Sequence, residues 1–362
     1  MKIATLAYQR HENVGAVLQC YALQKTIITQ GHDCEVIDYI CDAADRIFGF
    51  RSFQVKGIKK YITSCIGVIS RFPKKYAFMR FRKDILVTTS KYDKKNIAEL
   101  DNKYDGYIVG SDNVWNSQLT GLDPNYFFQF VSNDLKKASY AASLGLGKVP
   151  ENERSDFKHY LSKFSVITTR EKAASEDISS LLERKVYDTC DPTLFLTREE
   201  WNELLIEPKE RNYVLVYHMS PSASFVRFAK EVAKEKGLPI VYIPFPYGFC
   251  RCAMKPHIGP QEWLGYIKNA DYVITDSFHG CVFSSIYERN LIIKISQLGE
   301  RIKNLTEKLG IQNRIVDSVK QALQLPSMDY LNIRKNIIQY RSDGLDNLNI
   351  ILNHFEEIRD KG

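Results

Sequence analysis

The succession of apolar runs predicts an α/β chain of two doubly wound parts, each a parallel sheet covered by helices on both faces. Three observations predict it. The chain has 362 residues, about twice the ~100–200 residues of a typical domain. Short β-rich runs alternate with helical spacers along most of it, the pattern of parallel sheets buried on both sides. A strand, loop and helix opening occurs twice, once at Ile3 and again at Tyr213, on either side of a charged stretch from Leu196 to Arg211 around Trp201.

In the first half, Ile3 to Tyr8 reads as a buried strand, followed by a polar loop and an amphipathic helix from Ala16 to Gln30 that stops at Gly31. Strands follow at Cys34 to Tyr39, Gly106 to Val109, Lys137 to Ser143, Val166 to Thr169 and Val186 to Tyr187, and Asp191-Pro192-Thr193-Leu194 closes the half. In the second half, Tyr213 to Tyr217, Ile240 to Ile243, Tyr272 to Thr275 and Leu291 to Ile295 read as strands. Helices are expected at Phe225 to Lys236, Gln261 to Asn269 and Cys281 to Tyr287, and terminal helices over 330–360. The result is two Rossmann-like domains at 1–195 and 210–329, with 330–362 packing back on them. Ligands of such sheets bind beyond the carboxyl ends of the strands, so chemistry is sought in the loops that follow them.

Composition narrows the function classes. With 44% apolar and 26% charged residues, 12 Pro and 19 Gly, the chain is neither disordered nor collagenous. No run reaches the ~18 apolar residues of a spanning helix, and the first residues lack the pattern of a signal peptide, so a cytoplasmic protein is expected. The eight cysteines show no repeated CxxC spacing, which argues against a zinc site. Cys250 and Cys252 are too close in sequence for a good intramolecular bridge, and reduced thiols are expected.

The net charge of +7 hides an uneven distribution. Eleven basic and no acidic residues lie between Arg46 and Lys83, which leaves the rest of the chain acidic by four. Phe48, Phe50, Phe53, Tyr61, Phe72, Tyr76, Phe78 and Phe81 interleave with those charges. Such a segment suits an anionic membrane face, a sugar diphosphate or single-stranded nucleic acid, or else a pair of helices with buried aromatics and a solvated basic face. Nucleic acid ranks last, since no RRM, KH or helix-turn-helix pattern surrounds it.

The strongest motif is Thr275-Asp276-Ser277-Phe278-His279-Gly280. It sets Asp276, Ser277 and His279 between a strand end and a helix of small residues, where backbone N–H groups favour an anion and a histidine can move a proton near neutral pH. The stretch from Gly110 to Asn116 has the same design: Gly110 lets the backbone approach a ligand, and Ser111 and Asp112 reach toward it. Its structural alternative is a helix cap with Trp115 as a core anchor. Asn13-Val14-Gly15 after the first strand is a third such loop; without the GxGxxG spacing it does not support a dinucleotide. Arg170 at the end of Val166–Thr169 and Arg301 after the last strand can each clamp a carboxylate or phosphate in bidentate fashion, or form a surface ion pair. No HExxH, DxD or P-loop pattern calls for a metal or ATP.

Residues 13–24 (NVGAVLQCYALQ), 110–116 (GSDNVWN), 140–145 (YAASLG, with Ser143), 169–172 (TREK), 191–196 (DPTLFL), 259–280 (GPQEWLGYIKNADYVITDSFHG) and 300–314 (ERIKNLTEKLGIQNR) occur in order over about 300 residues. As a set they resemble the polysaccharide pyruvyl transferase family. The resemblance implies a two-domain GT-B-like fold and a transferase with no cofactor. Phosphoenolpyruvate would be the donor and a hexose such as galactose the acceptor, in a capsular or exopolysaccharide repeat unit or its lipid-linked precursor. The product would be a pyruvate ketal. It also implies a donor held between the domains, with His279 and Arg170 as the catalytic contacts. Ser277, Gly280, Arg301 and Asn304 would lie on the donor side, and Asn13, Gly15, Gly110, Ser111, Asp112, Ser143 and Asp276 would face the acceptor or cleft. Relatives often carry arginine two positions before the histidine, where this chain has Ser277, so Arg301 or a helix N-terminus is expected to supply that charge. The basic segment is then expected to meet the acceptor's diphosphate or the inner membrane leaflet that carries it. Two readings compete: a GT-B glycosyltransferase using a nucleotide sugar, and a non-catalytic membrane-surface scaffold of glycan assembly.

Overall fold

The computed structural model describes residues 1–48, 58–219, 222–244, 252–295 and 299–361, with side chains outside 46–71. The chain divides into two compact units, one of Met1–Phe72, Phe78–Phe195 and Tyr340–Gly362, the other of Pro73–Ala77 and Leu196–Gln339.

The first unit holds a sheet of β1 (Lys2–Leu6), β2 (Asp33–Tyr39), β3 (Thr88–Tyr92), β4 (Gly106–Val109), β5 (Lys137–Ala142), β6 (Val166–Thr169) and β7 (Tyr187–Asp188). Their spatial order is β3-β2-β1-β4-β5-β6-β7, and every pairing is parallel. The chain works outward from β1 in one direction and resumes at β4 in the other. The switch point of a doubly wound sheet therefore lies at the carboxyl ends of β1 and β4. The helix Val14–Thr29 leaves β1 with Asn13 as its cap, whose side chain accepts from the N–H groups of Gly15 and Ala16 at 3.0 and 3.5 Å. Trp115 is buried, stacks on Phe127 with centroids 5.7 Å apart, and donates its indole N–H to Tyr126 O at 3.1 Å. It is the core anchor foreseen as the structural alternative for this motif.

The second unit holds β8 (Val214–His218), β9 (Ile240–Pro244), β10 (Ala253–Met254), β11 (Tyr272–Thr275) and β12 (Asn290–Ile293). The order is β10-β9-β8-β11-β12, again with parallel pairings. Its switch point lies at the carboxyl ends of β8 and β11. Val214, Val216, Ile274 and Ile292 of three strands pack with Phe225, Phe228 and Val232 of the helix Ala223–Glu235. Apolar residues of alternating register on adjacent strands thus bury one sheet face.

The structure departs from the sequence expectation at several strand and helix ends. His218, expected to begin a loop, is the last residue of β8. The helix after β11 starts at Phe278 instead of Cys281, because Ser277 caps it by accepting from Gly280 N–H at 3.3 Å. Trp201, expected in a loop-like stretch, sits in the short helix Arg198–Asn202, fixed by a Thr197–Glu200 capping box, and is buried against Phe283. Residues 330–361 form one helix, Tyr330–Lys361, where more than one was expected. Its Phe355 ring fills the space in which a side chain at Gly106 would stand. Cys252 is disulfide-bonded, against the expectation of reduced thiols. Cys20, Cys34, Cys41, Cys190 and Cys281 are free and buried. Among the described residues, no helix is long and apolar enough to cross a membrane.

Candidate functional site

In the first unit the residues singled out by sequence gather at the strand ends. Gly110 follows β4 at φ +121°, and a Cβ there would overlap Tyr140 O, so no larger residue can make this turn. The turn puts Ser111 N–H on Gln19 Oε1 at 2.9 Å and Ser111 Oγ 2.9 Å from Ala141 O and 3.3 Å from Asp191 Oδ2. Asp112 follows at φ +68°, a conformation that Asp tolerates better than most residues, and bridges to Ala142 of β5. Ser143 Oγ lies 2.5 Å from Glu171 Oε1 and 3.2 Å from Asn113 Oδ1. Ser111, Asp112, Ser143, Arg170, Glu171 and Asp191 are all buried.

Arg170 is the centre of this arrangement and is only 1% exposed. Its Nη1 donates to Asp191 Oδ2 at 2.8 Å, its Nη2 to Asp112 Oδ1 at 3.4 Å, and its Nε lies 3.7 Å from Glu171 Oε1. Burial pushes the guanidinium pKa down, but the charges of Asp191, Asp112 and Glu171 more than reverse this and hold it above the ordinary arginine value. Asp191 is fixed in turn, since its Oδ1 accepts from the N–H and hydroxyl of Thr193 at 3.0 and 2.7 Å. Three carboxylates around one guanidinium make a rigid ionic knot that ties together the loops after β4, β6 and β7.

The second unit builds its strand ends differently. Ser277 N–H donates to Thr275 Oγ1 at 3.0 Å, and a Cβ at Gly280 would come within 2.5 Å of that same oxygen. Gly280 is thus needed for the first helical turn to lie on the end of β11. His279 stands in that turn, 7% exposed, with its ring edge-on to Phe278 at 5.1 Å. Asp276 Oδ1 accepts from Met219 N–H at 2.6 Å, which links the loop after β11 to the end of β8. The neighbouring His218 is fully buried, lies 2.7 Å through Nε2 from Tyr242 Oη, and stacks between Phe225 and Tyr242 at 4.7 and 5.5 Å. Burial first, and the Asp276 charge second, raise the Tyr242 pKa and keep the phenol protonated.

Arg301 and Asn304 occupy the first two turns of the helix Glu300–Leu309, which packs against the Phe278–Ile286 helix; both are partly buried. Asn13 and Gly15 serve the N-terminus of their own helix, as described above. Among the described residues, no group of three or more His, Cys, Asp or Glu is arranged to hold a metal ion. Of the basic segment, 49–57 and the side chains through 71, including Phe48, Phe50, Phe53 and Tyr61, lie outside the described residues.

The model of the polysaccharide pyruvyl transferase family matches residues 13–293. The chain belongs to that family. No curated protein matches it. Solved structures similar over nearly the whole length include UDP-N-acetylglucosamine 2-epimerase from Rickettsia bellii, at 11% identity, 99% and 98% of the two chains covered and a TM-score of 0.52. Arabidopsis thaliana UGT89C1 complexed with UDP is similar at 9% identity, 98% and 99% coverage and a TM-score of 0.53. An alpha-glucosyltransferase in complex with UDP matches at 9% identity, 99% and 98% coverage and a TM-score of 0.50. At such low identity these show the fold, which is GT-B-like as expected. The family is one of transferases acting in polysaccharide biosynthesis. For this member of the pyruvyl transferase family, the sequence reading missed His218, Tyr242, Glu171 and Asp191 as parts of the strand-end networks. His218 is a single polar residue closing an otherwise apolar strand, which by itself does not mark it as part of a site.

Proposed function

We propose that the protein transfers the enolpyruvyl group of phosphoenolpyruvate onto two hydroxyls of a hexose, galactose in the first instance, forming a pyruvate ketal and releasing phosphate. The observation that carries the proposal is the His279 turn: a histidine fixed at the carboxyl end of β11, at the switch point of a parallel sheet, in a family of pyruvyl transferases. Phosphoenolpyruvate carries about three negative charges near neutral pH, and the first turn of the Phe278–Ile286 helix offers N–H groups and the positive end of a helix dipole.

The chemistry balances with one proton-transfer group. C3 of the donor gains a proton as the first sugar hydroxyl adds to C2, and that hydroxyl gives one up. The second hydroxyl then displaces phosphate, and its proton leaves with the phosphate. We assign His279 the movement of the proton at the addition step, and Asp276 the joining of its loop to the end of β8. Ser277 caps the helix, and Arg301 and Asn304 are assigned to the donor side. In the first unit, Asn13, Gly15, Gly110, Ser111, Asp112 and Ser143 are assigned to the acceptor. Arg170 acts as the cation that holds their loops, its guanidinium already being shared among Asp112, Glu171 and Asp191. The acceptor is a repeat unit on a lipid diphosphate, presented at a membrane surface, which suits the charge of the 46–83 segment.

The test is incubation with labelled phosphoenolpyruvate and a panel of galactosides, with mass detection of the ketal adduct and of phosphate. Ketal and phosphate in equal amounts are expected. Consumption of a nucleotide sugar with phosphoenolpyruvate untouched, or no turnover with any acceptor, would overturn the assignment.

A further inference from the structure

β5 does not run regularly to its carboxyl end. Its pairing with β6 passes from Ser139 opposite Ile167 to Ala142 opposite Thr169, three steps against two, so β5 carries one extra residue. Such a bulge re-aims the side chains that follow it and is over-represented beside active sites. Within it Ala141 is fully buried and holds φ +50°, a left-handed conformation that alanine adopts only at a cost. Side-chain hydroxyls hold it there. Ala141 N–H donates to Thr168 Oγ1 at 2.8 Å, and Ala141 O accepts from Ser111 Oγ at 2.9 Å. Thr168 Oγ1 in turn donates to Ser139 O at 3.0 Å, while Ser139 Oγ accepts from Thr168 N–H and donates to Thr168 O, both at 3.0 Å. Ser139 and Thr168 are fully buried, and their hydroxyls stand in for the ladder bonds that the extra residue displaces.

We propose that Ala141 is a positioning residue for the acceptor side, held in a strained bulge so that Gly110, Ser111, Asp112 and Ser143 keep one register. These residues meet the bulge at separate points. Tyr140 O fills the place of a side chain at Gly110, and Ser111 Oγ bonds Ala141 O. Asp112 bridges to Ala142, and its carbonyl accepts from Ser143 N–H at 2.9 Å. Ala142 O accepts from Arg170 N–H at 3.2 Å, which joins the bulge to the ionic knot. Side chains on a strand alternate between faces, so without the extra residue Ser143 would turn to the other face and its Oγ would lose Glu171. A regular strand would need none of these hydroxyls and would carry no strain. Strain that the surroundings over-determine is kept where geometry serves function. This role rests on the assignment of those four residues to the acceptor, and it adds the element that holds them.

The experiment uses two substitutions in the full chain. Thr168→Val keeps the side-chain shape and deletes the hydroxyl that holds Ala141 N–H. Ala141→Gly lets the backbone take a positive φ without strain. KM and kcat are measured for galactosides and for phosphoenolpyruvate, and amide hydrogen exchange is followed on the same proteins without substrate. Thr168→Val should lower kcat/KM for the acceptor by about 10–100-fold, chiefly through KM, and leave the donor KM unchanged. It should also speed exchange at the Ser143 and Arg170 amides but not in β1. Thr168→Ser, which keeps the hydroxyl, should recover the wild-type values. Ala141→Gly added to Thr168→Val should restore most of the acceptor kcat/KM and the slow exchange, because glycine holds the bulge without the hydroxyl. A wild-type acceptor KM in Thr168→Val, a donor KM that rises in step with it, or a loss that Ala141→Gly does not relieve would overturn the proposal. No ketal from the wild type with any acceptor would count against the enzymatic reading alone. Unchanged exchange in Thr168→Val would overturn the bulge as the holding element whether or not ketal forms.

Discussion

The carboxyl ends of the two sheets are built from opposite materials. In the first unit the switch-point side is an ionic knot, one guanidinium among three carboxylates, all buried and cross-linked to backbone and hydroxyl groups. In the second it is made of imidazoles, a phenol and one carboxylate, with His279 on a helical turn and His218 against Tyr242. Fixed charge in a dry site holds geometry, because parting it from its counter-charges costs far more than any small movement gains. Imidazole can exchange a proton near neutral pH. On the proposed assignment, the same topology holds geometry in one half and moves a proton at His279 in the other.

The largest expected effect breaks the first region. Arg170→Ala leaves three carboxylates around a void and should destabilise the protein by about 3–5 kcal/mol in denaturant unfolding. Arg170→Lys keeps the charge and loses the planar fork. If it lowers stability with little change in donor KM, the holding role stands; a large rise in donor KM with unchanged stability would instead make Arg170 a direct donor contact.

A second, smaller effect compares histidines. His11, in the loop after β1, is pushed down to about 4 from 6.5 by burial and then by the charges of Arg10 and Arg82. The folded state thus disfavours the proton that the unfolded chain accepts below about 6.5, so the uncharged-His11 contribution is fully present above pH 6.5 and is lost as pH falls toward 4. His11→Gln should flatten that part of the stability curve; an unchanged slope between those values would contradict it. The smallest effect sharpens the second region. Tyr242→Phe removes the partner of His218 Nε2 and should cost about 1 kcal/mol in stability. If the His218 cluster helps set the loop carrying His279, through Met219 and Asp276, turnover should also fall; if turnover is untouched, the cluster is only core.

Much of this fold was legible in the sequence because parallel sheets advertise themselves. Gly106–Val109, Val166–Thr169 and Tyr272–Thr275 are short apolar runs bounded by polar loops, and they are strands with those bounds. β3 was not legible: Thr88–Tyr92 is a polar edge strand whose pairing with β2 comes from tertiary placement. The switch-point loops after β1, β4 and β11 could be picked out because glycine and small polar residues interrupt strand and helix there. Two of the partners of Arg170 could not, since Asp112 and Asp191, which follow β4 and β7, meet it only when those strands align with β6. His218 was passed over because a single polar residue at a strand end gives no sign of whether it turns inward or to water.

The most direct test of the central claim is phosphoenolpyruvate-dependent ketal formation by His279→Gln beside the wild type, with unfolding of both followed in the same buffer. The account predicts a fall in turnover of about 10²–10⁴, the usual worth of a positioned proton-transfer group, with stability little changed. Near-native turnover by His279→Gln would contradict it.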